Sequence, residues 1–253
     1  MRSNRISHHF EIPSYNLSPQ KVTKFLLSII ALLIIGNVAE RMLNRWLIAN
    51  NSTEFISYYF NFDQEANFPA LYSALALGFC SYLLAVIATV KKKQIDRYAK
   101  HWKALSLIFL FLAIDEACSI HEFFIPFLRG AIDAGGIFYF TWVIPAFFLL
   151  IIFLIAFRKF IFKLPPKTKI LFITAGGVYV AGALGMELIG GYIADNFGFD
   201  TAAYGIASRV EEILEMLGVV IFIHGLLSYI QTQSKEIHFS LSFQSSKHKI
   251  THY

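Results

Sequence analysis

Phe109–Leu128, FLFLAIDEACSIHEFFIPFL, is apolar enough to sit in a bilayer, yet Asp115, Glu116, His121 and Glu122 stand in its middle. An ionisable side chain at that depth costs about 3 kcal/mol or more unless it meets a partner or water, so such residues mark function by default. Four of them in one span need a common reason. A second acidic group answers the first: Arg209-Val-Glu-Glu-Ile-Leu-Glu215 opens the last apolar segment, and Glu187 lies in a glycine-rich apolar segment between the two. The pattern reads as an all-α polytopic membrane protein built around an acidic, histidine-containing polar site.

The rest of the chain agrees. Of 253 residues, 56% are hydrophobic and only 15% charged, a composition that calls for lipid as solvent and leaves room for one membrane domain. The net charge of +5 does not point to nucleic acid, because the basic residues fall in short groups between apolar runs. Cys80 and Cys118 both lie mid-span and read as packing residues rather than a disulfide.

Hydropathy predicts a polar N-terminal tail over 1–21, a six-helix membrane domain over 22–230, and a disordered tail over 231–253. The expected spans are about 22–39, 68–90, 104–128, 137–157, 170–193 and 205–230. Loop 50–67 carries Phe55, Tyr58, Tyr59, Phe60 and Phe62, which suits a partly helical segment lying on the membrane surface. Two basic loops, 91–103 and 158–169, flank the middle spans. Placing both termini and both loops in the cytoplasm puts 18 of the 22 Lys and Arg inside, leaving only Arg41, Arg45, Arg129 and Arg209 at the outer ends.

Depth follows from counting along each helix at about 1.5 Å per residue. Asp115 falls near mid-membrane, and His121, Glu122, Glu187, Glu211, Glu212 and Glu215 fall in the outer half. Helical-wheel arithmetic puts Asp115, Cys118, Ser119 and Glu122 on one face of span three, and Glu211, Glu215 and Gly218 on one face of span six. Gly177, Ala181 and Gly185 form a small-residue stripe on span five that would let a neighbouring backbone approach. Pro126 cannot donate to the Glu122 carbonyl, which frees an oxygen beside the acids. Two plainer roles stand beside these: Arg41 or Arg209 pairing with Glu187 or Glu215, and His224 as a hydrogen-bonded packing residue.

Known catalytic patterns do not fit. The di-iron bundle motif wants Glu three residues before His, where this chain has Cys118. Paired glutamates of the prenyl-peptide protease type want an arginine where Met216 stands. The strings Glu65-Ala-Asn-Phe-Pro69, Asp115-Glu-Ala-Cys-Ser-Ile-His-Glu122 and Glu211-Glu-Ile-Leu-Glu-Met-Leu-Gly218 resemble those of uncharacterised bacterial multi-pass membrane proteins. That resemblance implies an inner (plasma) membrane setting and carries no activity.

Two function classes remain. In one, Asp115, His121, Glu122, Glu187, Glu211 and Glu215 supply ligands to a divalent Zn, Mn or Fe ion, and Asp115, Glu116 and Glu122 do chemistry on a lipid or isoprenoid. In the other, the same residues form the proton or cation site of a small transporter or channel. A non-catalytic membrane assembly subunit is a third possibility. Membrane lipid is the expected partner, and nucleic acid is not.

Overall fold

A computed structural model describes residues 18–50, 59–64, 66–123, 125–132 and 134–233. The proposed tails fall almost wholly outside them, as do Phe55, Tyr58 and Glu65. The described chain is helical, without strands. Its helices are α1 (Pro19–Ala49), α2 (Phe68–Lys93), α3 (Ala99–Cys118), α4 (Ile120–Phe123), α5 (Ile125–Ala131), α6 (Val143–Lys163), α7 (Pro166–Val180), α8 (Glu187–Phe197) and α9 (Ala202–Gln233). A 3-10 turn (Gly136–Phe138) precedes α6, and a π-helical turn (Ala181–Met186) joins α7 to α8 without a break. Five helices are long and apolar enough to cross a membrane, or six if the bent α3 to α5 segment is one span.

Local chemistry explains several of the boundaries. The Asn67 side chain accepts the Ala70 N–H at 3.0 Å and Pro69 sits in the first turn, so α2 starts there. Lys91, Lys92 and Lys93 close α2, where the helix dipole favours cations. Leu164 and Pro165 are extended ahead of Pro166, which separates α6 from α7.

The loop after α2 meets the last turn of α6, Tyr98 lying 5.7 Å from Phe160, and with the loop after α6 forms a basic end of the bundle; the acids of α3, α8 and α9 gather at the other, acidic end. α9 is its hub and packs against α1, α2, α7 and α8. Towards the basic end the interior is a solid aromatic block. Trp102 meets Phe160 at 4.9 Å and Tyr229 at 5.0 Å, and Phe109 stacks on Phe222 at 4.6 Å. α6 touches that block through Phe157 and Phe160 and leaves Phe147, Phe148, Ile152 and Ile155 exposed, as a lipid-facing helix would.

Four expectations from the sequence need correction. Span three is not one straight helix to residue 128: α3 ends at Cys118, Ser119 takes the left-handed conformation (φ 50°, ψ 43°), and the chain turns by 69°. The face expected to join Asp115, Cys118, Ser119 and Glu122 therefore does not exist, and Cys118 is exposed rather than packed. The small-residue stripe is also displaced. Gly177 and Gly185 have no atom close to a would-be Cβ, whereas at Gly182 it would meet the Glu211 carbonyl at 2.8 Å and at Gly218 the Tyr179 backbone at 2.8 Å. The expected partly helical character of the aromatic loop falls mostly on 51–58, outside the described residues; in the described part Phe62 is buried against Ile30, Leu33 and Met216, and Phe60 covers Gly36. Glu40 and Asn37 of α1 hold it there, Glu40 accepting the Phe60 N–H at 2.9 Å and Asn37 donating to the Phe60 carbonyl at 2.8 Å.

Candidate functional site

The bend after α3 and the first polar pair have one cause. Asp115, in the last turn of α3, accepts the His121 backbone N–H at 2.9 Å through Oδ1 and meets His121 Nδ1 at 3.0 Å through Oδ2. An ionised carboxylate can only accept, so Nδ1 carries the proton and, in the neutral ring, Nε2 holds the lone pair. One side chain thus replaces a helical hydrogen bond, supports the left-handed Ser119, and fixes an imidazole in one tautomer.

From His121 the contacts run across to α8 and α9. Its ring lies 4.8 Å from that of Trp142, whose Nε1 donates to Glu187 Oε1 at 2.8 Å. Glu187 also hydrogen-bonds Glu211 and lies within electrostatic reach of His121 and Glu122. Two carboxyl groups can share a hydrogen bond only if a proton lies on one of them. Tyr179 of α7 lies within reach of Asp115 and Glu116 from α3 and of Glu212 and Glu215 from α9. Glu212, which the wheel sets off the shared face, therefore belongs to the same electrostatic neighbourhood.

The π turn makes this possible. A turn with i→i+5 bonds adds a residue to the helix and shifts everything beyond it, and such turns occur often at functional sites. Here it follows Tyr179, brings Gly182 against the Glu211 carbonyl, and leads straight into Glu187. Bare backbone at Gly182 lets α9 come close enough for the two glutamates to meet.

The structure thus gathers Asp115, Glu116, His121, Glu122, Glu187, Glu211 and Glu215 at the acidic end, all residues singled out by the sequence. It arranges them as neighbours and pairs. Among the described residues, no three His, Cys, Asp or Glu form a group able to hold a metal ion. Among the described residues, Arg41 and Arg209 make no ion pair with Glu187. His224 is a packing residue as expected, its Nδ1 2.8 Å from Thr23 Oγ1.

Four contributors escape sequence reasoning: Trp142, Tyr179, Tyr204 and Asp63. Tyr204 hydrogen-bonds Asp63 and lies within reach of Glu187 and Glu211. Ser208, whose hydroxyl donates to the Phe62 carbonyl at 3.4 Å, lies beside Asp63 as well. Although Asp63 is exposed as a residue, its carboxyl turns inward, and the lost hydration raises it above its ordinary 3.8 against the opposing pull of its hydrogen bonds and of Arg41 and Arg209. The one available signal was positional: an acid inside an aromatic segment and a tryptophan one residue ahead of a long apolar run.

No curated protein matches the chain, and no solved structure does. A family model described as a domain of unknown function, DUF8692, matches residues 26–230, which include every residue of the site. The chain belongs to the DUF8692 family.

Proposed function

We propose that the protein is an integral membrane enzyme whose polar site performs acid–base chemistry on a lipid or isoprenoid substrate. The observation that carries this reading is the pair of dyads, Asp115–His121 and Glu187–Glu211, meeting at Trp142. An imidazole held in one tautomer by a carboxylate is a proton acceptor and donor with a set direction. A carboxyl pair sharing a proton is a second, separately tuned proton store. In the metal-dependent form of the reading, Asp115, His121, Glu122, Glu187, Glu211 and Glu215 are the residues from which ligands to Zn, Mn or Fe would come. Elemental analysis of the purified protein distinguishes the two forms.

The placement we propose is six crossings of an inner (plasma) membrane, with both termini cytoplasmic and the acidic end in the outer half. The 18-to-4 distribution of Lys and Arg supports it. Proton- or cation-coupled transport is the second reading, favoured by the excess of carboxyl groups over cations around Tyr179 and Glu187. The aromatic block at the basic end weighs against it, since a transport path needs polar groups at both depths.

Infrared difference spectroscopy tests the carrying observation. Protein in nanodiscs should show a protonated carboxyl band at neutral pH that disappears in both Glu187→Gln and Glu211→Gln. Absence of that band in the wild type would remove the shared proton, and the enzyme reading with it. Lipid extracts of cells lacking the protein should differ from the wild type and be restored by it but not by Glu187→Gln. In the transport reading, the lipids stay unchanged and Asp115→Asn abolishes a pH-dependent flux in proteoliposomes.

A further inference from the structure

The acidic end also holds cations that the fold does not use. Positive charge is concentrated at the other end of the bundle, and the few cations left at this one, Arg41, Arg45, Arg129 and Arg209, are all arginines. Arg129 is occupied: it lies over the Tyr139 ring at 4.1 Å and donates to the Tyr139 carbonyl. The other three converge. A Cβ at Gly205 would lie 3.3 Å from Arg209 Nη1 and 3.5 Å from Arg41 Nη2, so both guanidiniums rest over the same bare turn of α9. Arg45 lies within electrostatic reach of Arg209.

Like charges held this close repel, and among the described residues no ion pair neutralises them. Asp63 is the nearby carboxylate and offsets part of this charge from a distance, but it forms no ion pair with either arginine. Arg41 Nε and Arg209 Nη1 are buried from solvent and have no hydrogen-bond partner among the described residues. Buried donors without acceptors are rare and costly, the more so when charged. Arginine rather than lysine at this end suits a ligand with paired oxygens, because the planar fork matches phosphate in a bidentate way.

We infer that Arg41, Arg45 and Arg209 form a binding site for a phosphate-type anion at the acidic end of the bundle, above Gly205. The anion comes from a lipid headgroup or from soluble phosphate. Arg41 and Arg209 supply the inward donors, Arg45 adds charge at the exposed rim, and Gly205 gives the space that a side chain would fill. Tyr204, bonded to Asp63 and near Glu187 and Glu211, places the anion beside the acid–base site. The anion site stands on its own geometry and does not depend on that site being catalytic.

Binding to the full-length protein is the test, read as thermal stabilisation at constant ionic strength. One arm adds inorganic phosphate in place of chloride to protein in detergent. The other compares nanodiscs of phosphatidylglycerol with nanodiscs of phosphatidylcholine. Wild type should be stabilised in at least one arm: phosphate alone identifies a soluble anion, and phosphatidylglycerol alone identifies a headgroup. Arg41→Gln and Arg209→Gln should each weaken the effect about tenfold, the loss of one charge-assisted contact. Lys92→Gln, exposed at the basic end, should retain it. Without the anion, both arginine variants should melt no lower than wild type, since each relieves repulsion. Equal stabilisation of wild type and both variants, or none in either arm, would overturn the site, and a lower melting temperature for the variants without anion would make the arginines structural instead.

Discussion

At the residue scale, Asp115 carries the most structure. It accepts two hydrogen bonds from His121 and thereby holds the bend that follows α3. Asp115→Ala should lower stability by about 2 kcal/mol, by orphaning the His121 N–H and ring. Ser119→Gly should raise it by up to about 1 kcal/mol, because a side chain in the left-handed region is strained. Chemical or thermal melting in one detergent measures both. Asp63 gives a pH prediction. Its folded-state pKa is raised above 3.8, so the folded protein holds its proton more tightly than the unfolded chain. Its contribution is therefore greatest below 3.8 and is lost as pH rises from there through the folded value. Asp63→Asn should flatten that part of the stability–pH curve and leave the curve above it parallel to wild type. The acids and His121 were legible as single residues, because charge inside an apolar run is conspicuous. Trp142 and Tyr179 were not, because an aromatic in a membrane segment looks the same whether it meets lipid or a carboxyl group.

At the scale of elements, depth was legible and azimuth was not. Depth adds along the axis at about 1.5 Å per residue and survives a small irregularity. Direction around the axis accumulates about 100° per residue, so one bend or one extra residue scrambles every face beyond it. Asp115, His121, Glu187 and Glu211 thus lie within reach of one another, while the Asp115–Glu122 face and the Gly177–Ala181–Gly185 stripe did not survive Ser119 and the π turn. The displaced stripe yields a paired prediction. Gly218→Ala places a methyl 2.8 Å from the Tyr179 backbone, where nothing flexible can yield, and should cost about 1–3 kcal/mol. Gly177→Ala, open on its outer side, should be neutral or stabilise by up to about 1 kcal/mol. Melting of the two variants side by side separates the observed interface from the expected one.

At the scale of the whole molecule, the fold class was legible because long apolar runs separated by basic loops leave little else for the chain to be. The proposed topology makes a direct prediction. With Cys118→Ser to remove the exposed thiol, single cysteines at Lys93 and at Asp200 should react with an impermeant reagent from opposite sides of the membrane. Labelling of both from one side would end the six-crossing arrangement. The two ends of the molecule also differ in kind. The basic end is a solid aromatic core with ordinary packing, and the acidic end is a set of polar pairs held by irregular backbone: a left-handed serine, a 3-10 turn and a π turn.

That π turn has a consequence for how the protein tolerates insertions and deletions. Pro166–Phe197 is one rod containing a phase slip, so its two halves keep separate angular registers. Removing a single residue from 181–186 would let the rod close into regular helix. Because a π turn spends about one residue more than regular helix over the same rotation, the shortened rod would leave α8 facing nearly as it does now, with Glu187 still towards Glu211 and Trp142. A one-residue deletion there should therefore leave a protein that inserts, folds and keeps its carboxyl pair, a slack in phase that the regular turns of α7 do not have.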